Sequence, residues 1–182
     1  MIKQMRKVVD VHGDFAEFGI DAGSSFIKII REAKKQNKIT YAFDSFHGFT
    51  QPSKFDYDDT GYCHYPKGTM NRGGTYKFLR RLRKAGFARD DFRVFPGFIP
   101  KSLNDCPDEA VFSFCHVDLD TYYPTKHVIQ FVWEKLSENG ILMCHDWFPN
   151  KDFQASLAIK EFIATEEPVK IYDVNHWIGF KK

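Results

Sequence analysis

Four acidic residues in this chain could act on one ligand, because each of them ends or follows an apolar run of strand-like length. They are Asp44 at the end of residues 39–44, Asp118 and Asp120 after residues 111–117, and Asp146 after residues 141–144. Ligands of open α/β sheets bind outside the carboxyl ends of the strands. Acids at several strand ends therefore predict a single site at one edge of a sheet.

A glycine-bearing turn precedes the first of these acids. The turn runs from Glu17 to Gly23 and includes Gly19, and Asp44 follows Gly23 by 21 residues. A strand that ends in a glycine turn, a helix, and a second strand that ends in a carboxylate are typical of nucleotide binding. The glycines let the backbone approach the ligand, and the acid accepts hydrogen bonds from the ribose hydroxyls. An ordinary strand-to-helix turn is the alternative, but the spacing to Asp44 favours a ligand.

The acids after the fourth and fifth predicted strands indicate a site that binds a cation or transfers a proton. Asp118 and Asp146 end strands that we expect to be neighbours, and two close carboxylates repel unless a metal ion or a substrate ammonium group shares them. Three roles are open for His145: a metal ligand, a general base with a pKa of about 6.5, or a histidine packed in the sheet. Asp120 either shares a face with Asp118 or begins a loop and caps the next helix.

Strand-like and helix-like periods alternate along the chain and predict the elements that position these residues. The predicted strands are residues 14–20, 39–44, 92–95, 111–117, 141–145, 169–174 and 176–181. The predicted helices are residues 25–37, 75–85, 125–137 and 153–165, with Asn139-Gly140 closing the third. The last two strands are too close for a parallel crossover and must form a hairpin. The predicted fold is α/β: a Rossmann-like, doubly wound, mainly parallel seven-stranded sheet with one antiparallel strand in a C-terminal hairpin.

Residues 47–74 are the longest stretch without a clear period. They are polar, marked by glycine and proline, and carry an acidic cluster at Asp56, Asp58 and Asp59. A connection of this length in a compact domain is usually a functional loop or lid, and disorder is the alternative.

Composition and charge limit the partners that we expect. A length of 182 residues suits one domain over residues 1–182. The net charge is +2, and the basic cluster within residues 80–84 lies on the polar side of an amphipathic helix, so we expect no nucleic-acid partner. We also expect no signal peptide and no membrane partner, because no apolar stretch has the required length. Four cysteines without a CxxC pair suit a reduced, cytoplasmic location.

Five segments, in order, are similar to one known family. They are Gly13-Asp14-Phe15-Ala16-Glu17-Phe18-Gly19, Phe43-Asp44-Ser45-Phe46-His47-Gly48-Phe49, Val94-Phe95-Pro96-Gly97-Phe98, His116-Val117-Asp118-Leu119-Asp120-Thr121-Tyr122-Tyr123-Pro124-Thr125, and Leu136-Ser137-Glu138-Asn139-Gly140 continuing to His145-Asp146-Trp147. Together they resemble the macrocin O-methyltransferase (TylF-type) family of class I S-adenosylmethionine-dependent methyltransferases. The chain departs from that pattern at His145, where many relatives have the first aspartate of an Asp-Asp pair.

The resemblance implies an enzyme that methylates a hydroxyl of a sugar or another small molecule with S-adenosylmethionine as cofactor. The cofactor-binding residues that it implies are Glu17, Gly19, Gly23, Asp44 and Ser45. Beside the resemblance, the residues at the strand ends predict Asp118 and His145 as catalytic residues, and Asp118, His145 and Asp146 as ligands of an assisting Mg²⁺ or Mn²⁺ ion. A nitrogen ligand suits Mn²⁺ or Fe²⁺ better than Mg²⁺. Residues 47–74 and 98–105 are expected to form the acceptor pocket, and a homodimer is compatible with the resemblance.

Three other interpretations stay open at the level of sequence. A metal-dependent glycosyltransferase could use Asp118-Leu119-Asp120 as a DxD motif. This interpretation explains less well why Asp44 and the glycine turn are present. A nicotinamide oxidoreductase shares the ribose acid, although the glycines read GxxxG rather than GxGxxG. A non-catalytic relative of the same fold could bind a partner through residues 47–74.

Overall fold

The structure is a computed structural model that describes residues 1–182, and its centre is a seven-stranded sheet. The strands are β1 (Asp14–Phe18), β2 (Thr40–Asp44), β3 (Phe92–Pro96), β4 (Phe112–Val117), β5 (Leu136–Cys144), β6 (Val169–Val174) and β7 (Trp177–Lys181). Their order is β3-β2-β1-β4-β5-β7-β6. The first five are parallel, and β7 runs antiparallel to both of its neighbours. The predicted fold class, including the C-terminal hairpin, is confirmed.

The chain forms five α-helices, of which the first precedes β1 and the other four lie between strands. They are α1 (Ile2–Met5), α2 (Ser24–Lys35), α3 (Thr75–Lys84), α4 (Tyr122–Lys135) and α5 (Gln154–Glu166). No helix combines the length and the apolar composition that crossing a membrane would require. The sequence predicted the last four of these helices, and it missed the short α1.

The predicted end of the third long helix, α4, was wrong. Asn139 and Gly140 do not close α4, which ends at Lys135; they belong to β5. The reason is long-range pairing: Leu136 is buried, and its extended backbone pairs with Phe112 of β4. A local Asn-Gly signal does not compete with that burial.

Apolar side chains cover both faces of the sheet. On one face, residues of α4 and α5 such as Ile129 and Ile159 pack against the strands in the largest core cluster. On the other face, α1 and α2 contribute Met5, Ile29 and Ala33 to a second cluster. Every residue of β4 is buried, as expected for a strand covered on both sides. Burial from two sides fixes the strand ends relative to one another.

The strand order reverses between β1 and β4 at the middle of the sheet. The connection from β1 leads through α2 towards β2 and β3, whereas the connection from β4 leads through α4 towards β5. The two connections diverge above neighbouring strand ends, which opens a crevice at the carboxyl edge of the sheet.

Candidate functional site

A cavity of about 360 Å³ occupies this crevice. Small-molecule sites commonly measure about 300–1,000 Å³. Its wall contains Gly19, Asp44 and Ser45 from the β1–β2 side and Asp118, Asp120 and His145 from the β4–β5 side. Six predicted or candidate residues from four separate strand ends therefore meet at one cavity, as the strand-end argument required.

Gly19 allows the two central connections to approach one another. Its φ is 89°, and a Cβ at this position would lie 1.7 Å from the carbonyl oxygen of Asp118. Both the left-handed backbone and the contact exclude a side chain. Gly19 thus brings the end of β4 against the end of β1, and it lines the cavity.

Gly23 and Glu17 lie next to the cavity wall but do not form it. Gly23 is the N-cap of α2 with a φ of 82°, and a Cβ there would meet the Phe78 ring at 3.0 Å. Packing against Phe78 explains this glycine. Glu17 is completely buried, and its Oε1 lies 2.7 Å from Nδ1 of His116. Their roles in cofactor binding stay predictions.

Asp44 is held rigidly at the end of β2. Its Oδ2 accepts hydrogen bonds from the backbone amides of Ile20 (2.6 Å) and Asp21 (3.1 Å), and its Oδ1 accepts from the amide of Phe46 (2.6 Å). A carboxylate has about four lone-pair sites. Three are occupied here, so one remains for a hydroxyl in the cavity. The adjacent Ser45 donates its hydroxyl hydrogen to the carbonyl of Gly48 at 2.9 Å.

Asp118, His145 and Asp146 form a compact charged cluster. One ligand atom from each lies within 4.8 Å of the others. Nδ1 of His145 lies 3.1 Å from Oδ1 of Asp118 and 2.9 Å from Oδ1 of Asp146. Hydrogen bonds to Asp118 and Asp146 raise the pKa of His145 to about 10. Burial opposes ionisation of Asp118, yet the hydrogen bond from His145 and nearby positive charge hold its pKa below the usual range. In this arrangement the imidazolium pairs with both carboxylates and balances one of their two negative charges.

Asp120 is a carboxylate of the cavity that its surroundings make difficult to ionise. The chain turns at this residue, with a φ of 60°, and the N-cap of α4 is Thr121 rather than Asp120. Burial, followed by the negative charges of Asp146 and Asp118, raises the pKa of Asp120 to about 7. An acid with this pKa can gain and lose a proton near neutral pH.

Residues 47–74 supply part of the cavity wall, as expected for a functional segment. Phe49, Thr50 and Met70 line the cavity together with Phe98 and Ile99 from the predicted second acceptor stretch, residues 98–105. Burial, and then the negative charge of Asp120, raise the pKa of the Tyr65 phenol in the same segment. The part of the wall that these two stretches supply is mainly apolar, whereas the acids of the cavity come from the strand ends.

A buried pair behind the cavity was not found from the sequence. Glu17 and His116 are both completely buried, and they face each other because β1 and β4 pair them in register. The His116 ring stacks on Trp177 at 4.9 Å, and the His145 ring meets the same indole at 4.8 Å. Two polar residues inside otherwise apolar strands were the available signal.

Comparison with known proteins gives one family match. The sequence model of the macrocin O-methyltransferase family, TylF, matches residues 2–176. No curated protein sequence matches the chain significantly.

Solved structures with the same fold include several methyltransferases. The O-methyltransferase NovP shares 18% sequence identity at a TM-score of 0.80, over 100% of this chain and 77% of that chain. CalS11, a TDP-rhamnose 3'-O-methyltransferase of calicheamicin biosynthesis, shares 18% sequence identity at a TM-score of 0.68, over 98% of this chain and 76% of that chain. TomG from Streptomyces achromogenes is an O-methyltransferase of tomaymycin synthesis that was solved with SAM. It shares 11% sequence identity at a TM-score of 0.65, over 100% of this chain and 78% of that chain. At these identities the likeness establishes the fold.

Proposed function

The chain belongs to the macrocin O-methyltransferase (TylF) family of S-adenosylmethionine-dependent O-methyltransferases, and we propose that its acceptor is a hydroxyl of a sugar or of another small molecule. The observation that carries this proposal is that Asp44, Asp118, Asp120 and His145 line one and the same cavity. A sugar acceptor is supported by the neighbour CalS11, which is a TDP-rhamnose 3'-O-methyltransferase.

The β1–β2 side of the cavity is the proposed cofactor half. The one free acceptor position on Asp44 would take a ribose hydroxyl, and Ser45 lies beside it. Asp44 needs no rearrangement to do this, because three backbone amides already orient its carboxylate. Glu17 has an unpaired buried oxygen, Oε2, which supports its proposed role towards an ammonium group.

The β4–β5 side is the proposed acceptor half. In the reaction the acceptor oxygen displaces the sulfur of the cofactor at the methyl carbon, so the protein must align two reactants and remove one proton. Alignment can contribute about 7–11 kcal/mol, and proton removal about 10²–10⁴-fold. Asp120, with a pKa of about 7, suits the proton removal. His145 suits it less, because its pKa of about 10 keeps it protonated at neutral pH.

The cluster of Asp118, His145 and Asp146 also fits a divalent cation. It offers one nitrogen and two carboxylate oxygens within 4.8 Å, and Asp146 Oδ2 is a buried acceptor without a partner. A bound ion would lower the pKa of the acceptor hydroxyl and orient it. An ion bound to Nδ1 of His145 would replace the proton on that nitrogen. His145 therefore either ligates an ion through Nδ1 or is itself the cation beside the two carboxylates. The mixed donor set favours Mn²⁺ or Fe²⁺.

Calorimetry with S-adenosylhomocysteine and a methyl-transfer assay test the proposed function. We expect the purified protein to bind S-adenosylhomocysteine and to transfer a labelled methyl group to glycosides or nucleotide sugars that carry a free hydroxyl. The same glycosides with that hydroxyl replaced by hydrogen are the control and should stay unlabelled.

A different pattern of ligands would favour the rival interpretation. Binding of nucleoside diphosphate sugars without any affinity for S-adenosylhomocysteine would indicate a glycosyltransferase that uses Asp118-Leu119-Asp120. Binding of S-adenosylhomocysteine with methylation of amines but of no hydroxyl would contradict the proposed acceptor class.

A further inference from the structure

One buried carboxylate connects the long segment 47–74 to the body of the protein. Asp56 ends a short 3-10 helix, Lys54–Asp56, and is only 3% exposed although the segment around it is polar. A charged group is stable at such a position only when hydrogen bonds replace its lost hydration. The partners of Asp56 therefore show what the segment is built to hold.

Asp56 uses its two oxygens for different purposes. Oδ2 accepts hydrogen bonds from the amide and the hydroxyl of Ser53, at 2.8 and 2.7 Å, and so closes its own turn. Oδ1 accepts from the backbone amide of Tyr122 at 2.7 Å, across 66 residues of sequence. The second contact reaches the first residue of α4.

Helix α4 lacks a cap of its own. Thr121 is its N-cap residue, but the Thr121 hydroxyl donates to the carbonyl of Leu119 and accepts no amide of the helix. Without Asp56, the amide of Tyr122 would be a buried donor without a partner, since Tyr122 is only 3% exposed. The carboxylate supplies that hydrogen bond and a favourable negative charge at the positive end of the helix.

The contact between Asp56 and Tyr122 joins two parts of the chain that both line the cavity, the segment 47–74 and the residues before α4. Asp118, Asp120 and Thr121 line the cavity directly before α4, and the same long segment lines it through Phe49 and Met70. Other contacts reinforce the junction. The Phe55 ring packs on the Tyr122 ring at 4.4 Å, and the side-chain amide of Gln154 donates to the carbonyl of Asp56 at 3.3 Å.

We propose that Asp56 is a positioning residue for methyl transfer: by capping α4 it fastens the segment 47–74 and holds the acceptor wall of the cavity against Asp120. This inference rests on the proposed function for its effect on catalysis. Asp56 does not line the cavity. Its removal therefore changes the acceptor half and leaves Asp44 and the cofactor half intact.

The test compares Asp56→Ala with a conservative and a control variant. In Asp56→Asn the amide oxygen can still accept from Tyr122, whereas the NH2 group that replaces Oδ2 cannot accept from the amide of Ser53. Asp59→Ala is the matched control, because Asp59 belongs to the same segment and the same acidic cluster but is exposed to solvent. Hydrogen exchange of residues 47–74, the dissociation constant of S-adenosylhomocysteine, and kcat and KM for the acceptor are measured for each.

For Asp56→Ala we expect exchange in the segment to accelerate by about tenfold, the size of a lost helix cap. The acceptor kcat/KM should fall by at least about tenfold, while the dissociation constant of S-adenosylhomocysteine stays within about twofold. Asp56→Asn should recover most of both losses, and Asp59→Ala should match the parent. If Asp56→Ala does not fold, Asp56→Asn is compared with the parent, with an expected change of about threefold.

Three results would overturn the proposal. They are unchanged exchange in Asp56→Ala, faster exchange with an unchanged acceptor kcat/KM, and a cofactor affinity that falls as much as the acceptor kcat/KM. Hydrogen exchange needs no substrate. A parent protein that methylates nothing would therefore count against the proposed function, and exchange would still decide whether Asp56 fastens the segment.

Discussion

Replacement of Asp44 by alanine removes a carboxylate that three backbone amides hold in place, from Ile20, Asp21 and Phe46. One acceptor position remains free for a ligand. If a ribose hydroxyl fills it, the variant loses one hydrogen bond to a charged group, which is worth about 1.5–3 kcal/mol. Binding of S-adenosylhomocysteine should therefore weaken by about 10–150-fold.

Calorimetry on the parent, Asp44→Ala and His145→Ala tests this expectation. His145 is on the acceptor side, so its removal should change the affinity for S-adenosylhomocysteine by no more than about threefold. Asp44→Ala also leaves three amides without their acceptor, so circular dichroism must show that the titrated protein is folded. Asp44→Asn retains one acceptor oxygen and should lie between the parent and Asp44→Ala.

The reasoning would be refuted by equal losses of affinity in Asp44→Ala and His145→Ala. Failure of the folded parent protein to bind S-adenosylhomocysteine would refute it as well. A loss in Asp44→Ala that is fully explained by a smaller folded fraction would show that Asp44 shapes the turn and does not touch the ligand.

Three further outcomes follow from the site. Gly19→Ala places a Cβ 1.7 Å from the carbonyl oxygen of Asp118 and should reduce the free energy of unfolding by more than about 3 kcal/mol in a urea titration; a stable variant would contradict the close approach of the two strand ends. Asp120 accepts a proton only when ionised, so the methyl-transfer rate should fall as the pH drops below its pKa of about 7. Asp120→Asn should lower the rate by about 10²–10⁴-fold and remove this pH dependence; a profile that persists in the variant would identify another base. EDTA should lower the rate, Mn²⁺ should restore it better than Mg²⁺, and His145→Asp should reverse that order; rates that ignore all three additions would contradict metal assistance.

The fold and the clustering of the candidate site residues at one cavity were predictable, because both depend on local patterns and one general rule. Alternating periods gave the strand and helix order, and the meeting of parallel strand ends at one edge placed Asp44, Asp118 and His145 together. The end of α4 was not predictable from Asn139 and Gly140, because strand pairing with Phe112 overrides a local signal.

Several features of the site depend on contacts that no local pattern contains. The pairing of Glu17 with His116 requires the register of β1 against β4, which joins residues 99 positions apart. The pKa of Asp120 depends on burial and on Asp146, which lies on a different strand end. The cap that Asp56 supplies to α4 comes from a segment without any periodic signal. These features require the assembled sheet.

Residues from both halves of the chain line the cavity, and this has a consequence for the design of chimaeric enzymes. A chimaera with a crossover at residues 106–111 would take β1, β2 and the segment 47–74 from one parent and β4, α4 and β5 from the other. The crossover would separate Asp56 from the helix amide that it caps. Exchange of a substrate preference between two such enzymes therefore requires two matched cassettes, residues 47–74 together with the stretch that begins at β4, because neither contains a complete wall for the incoming molecule.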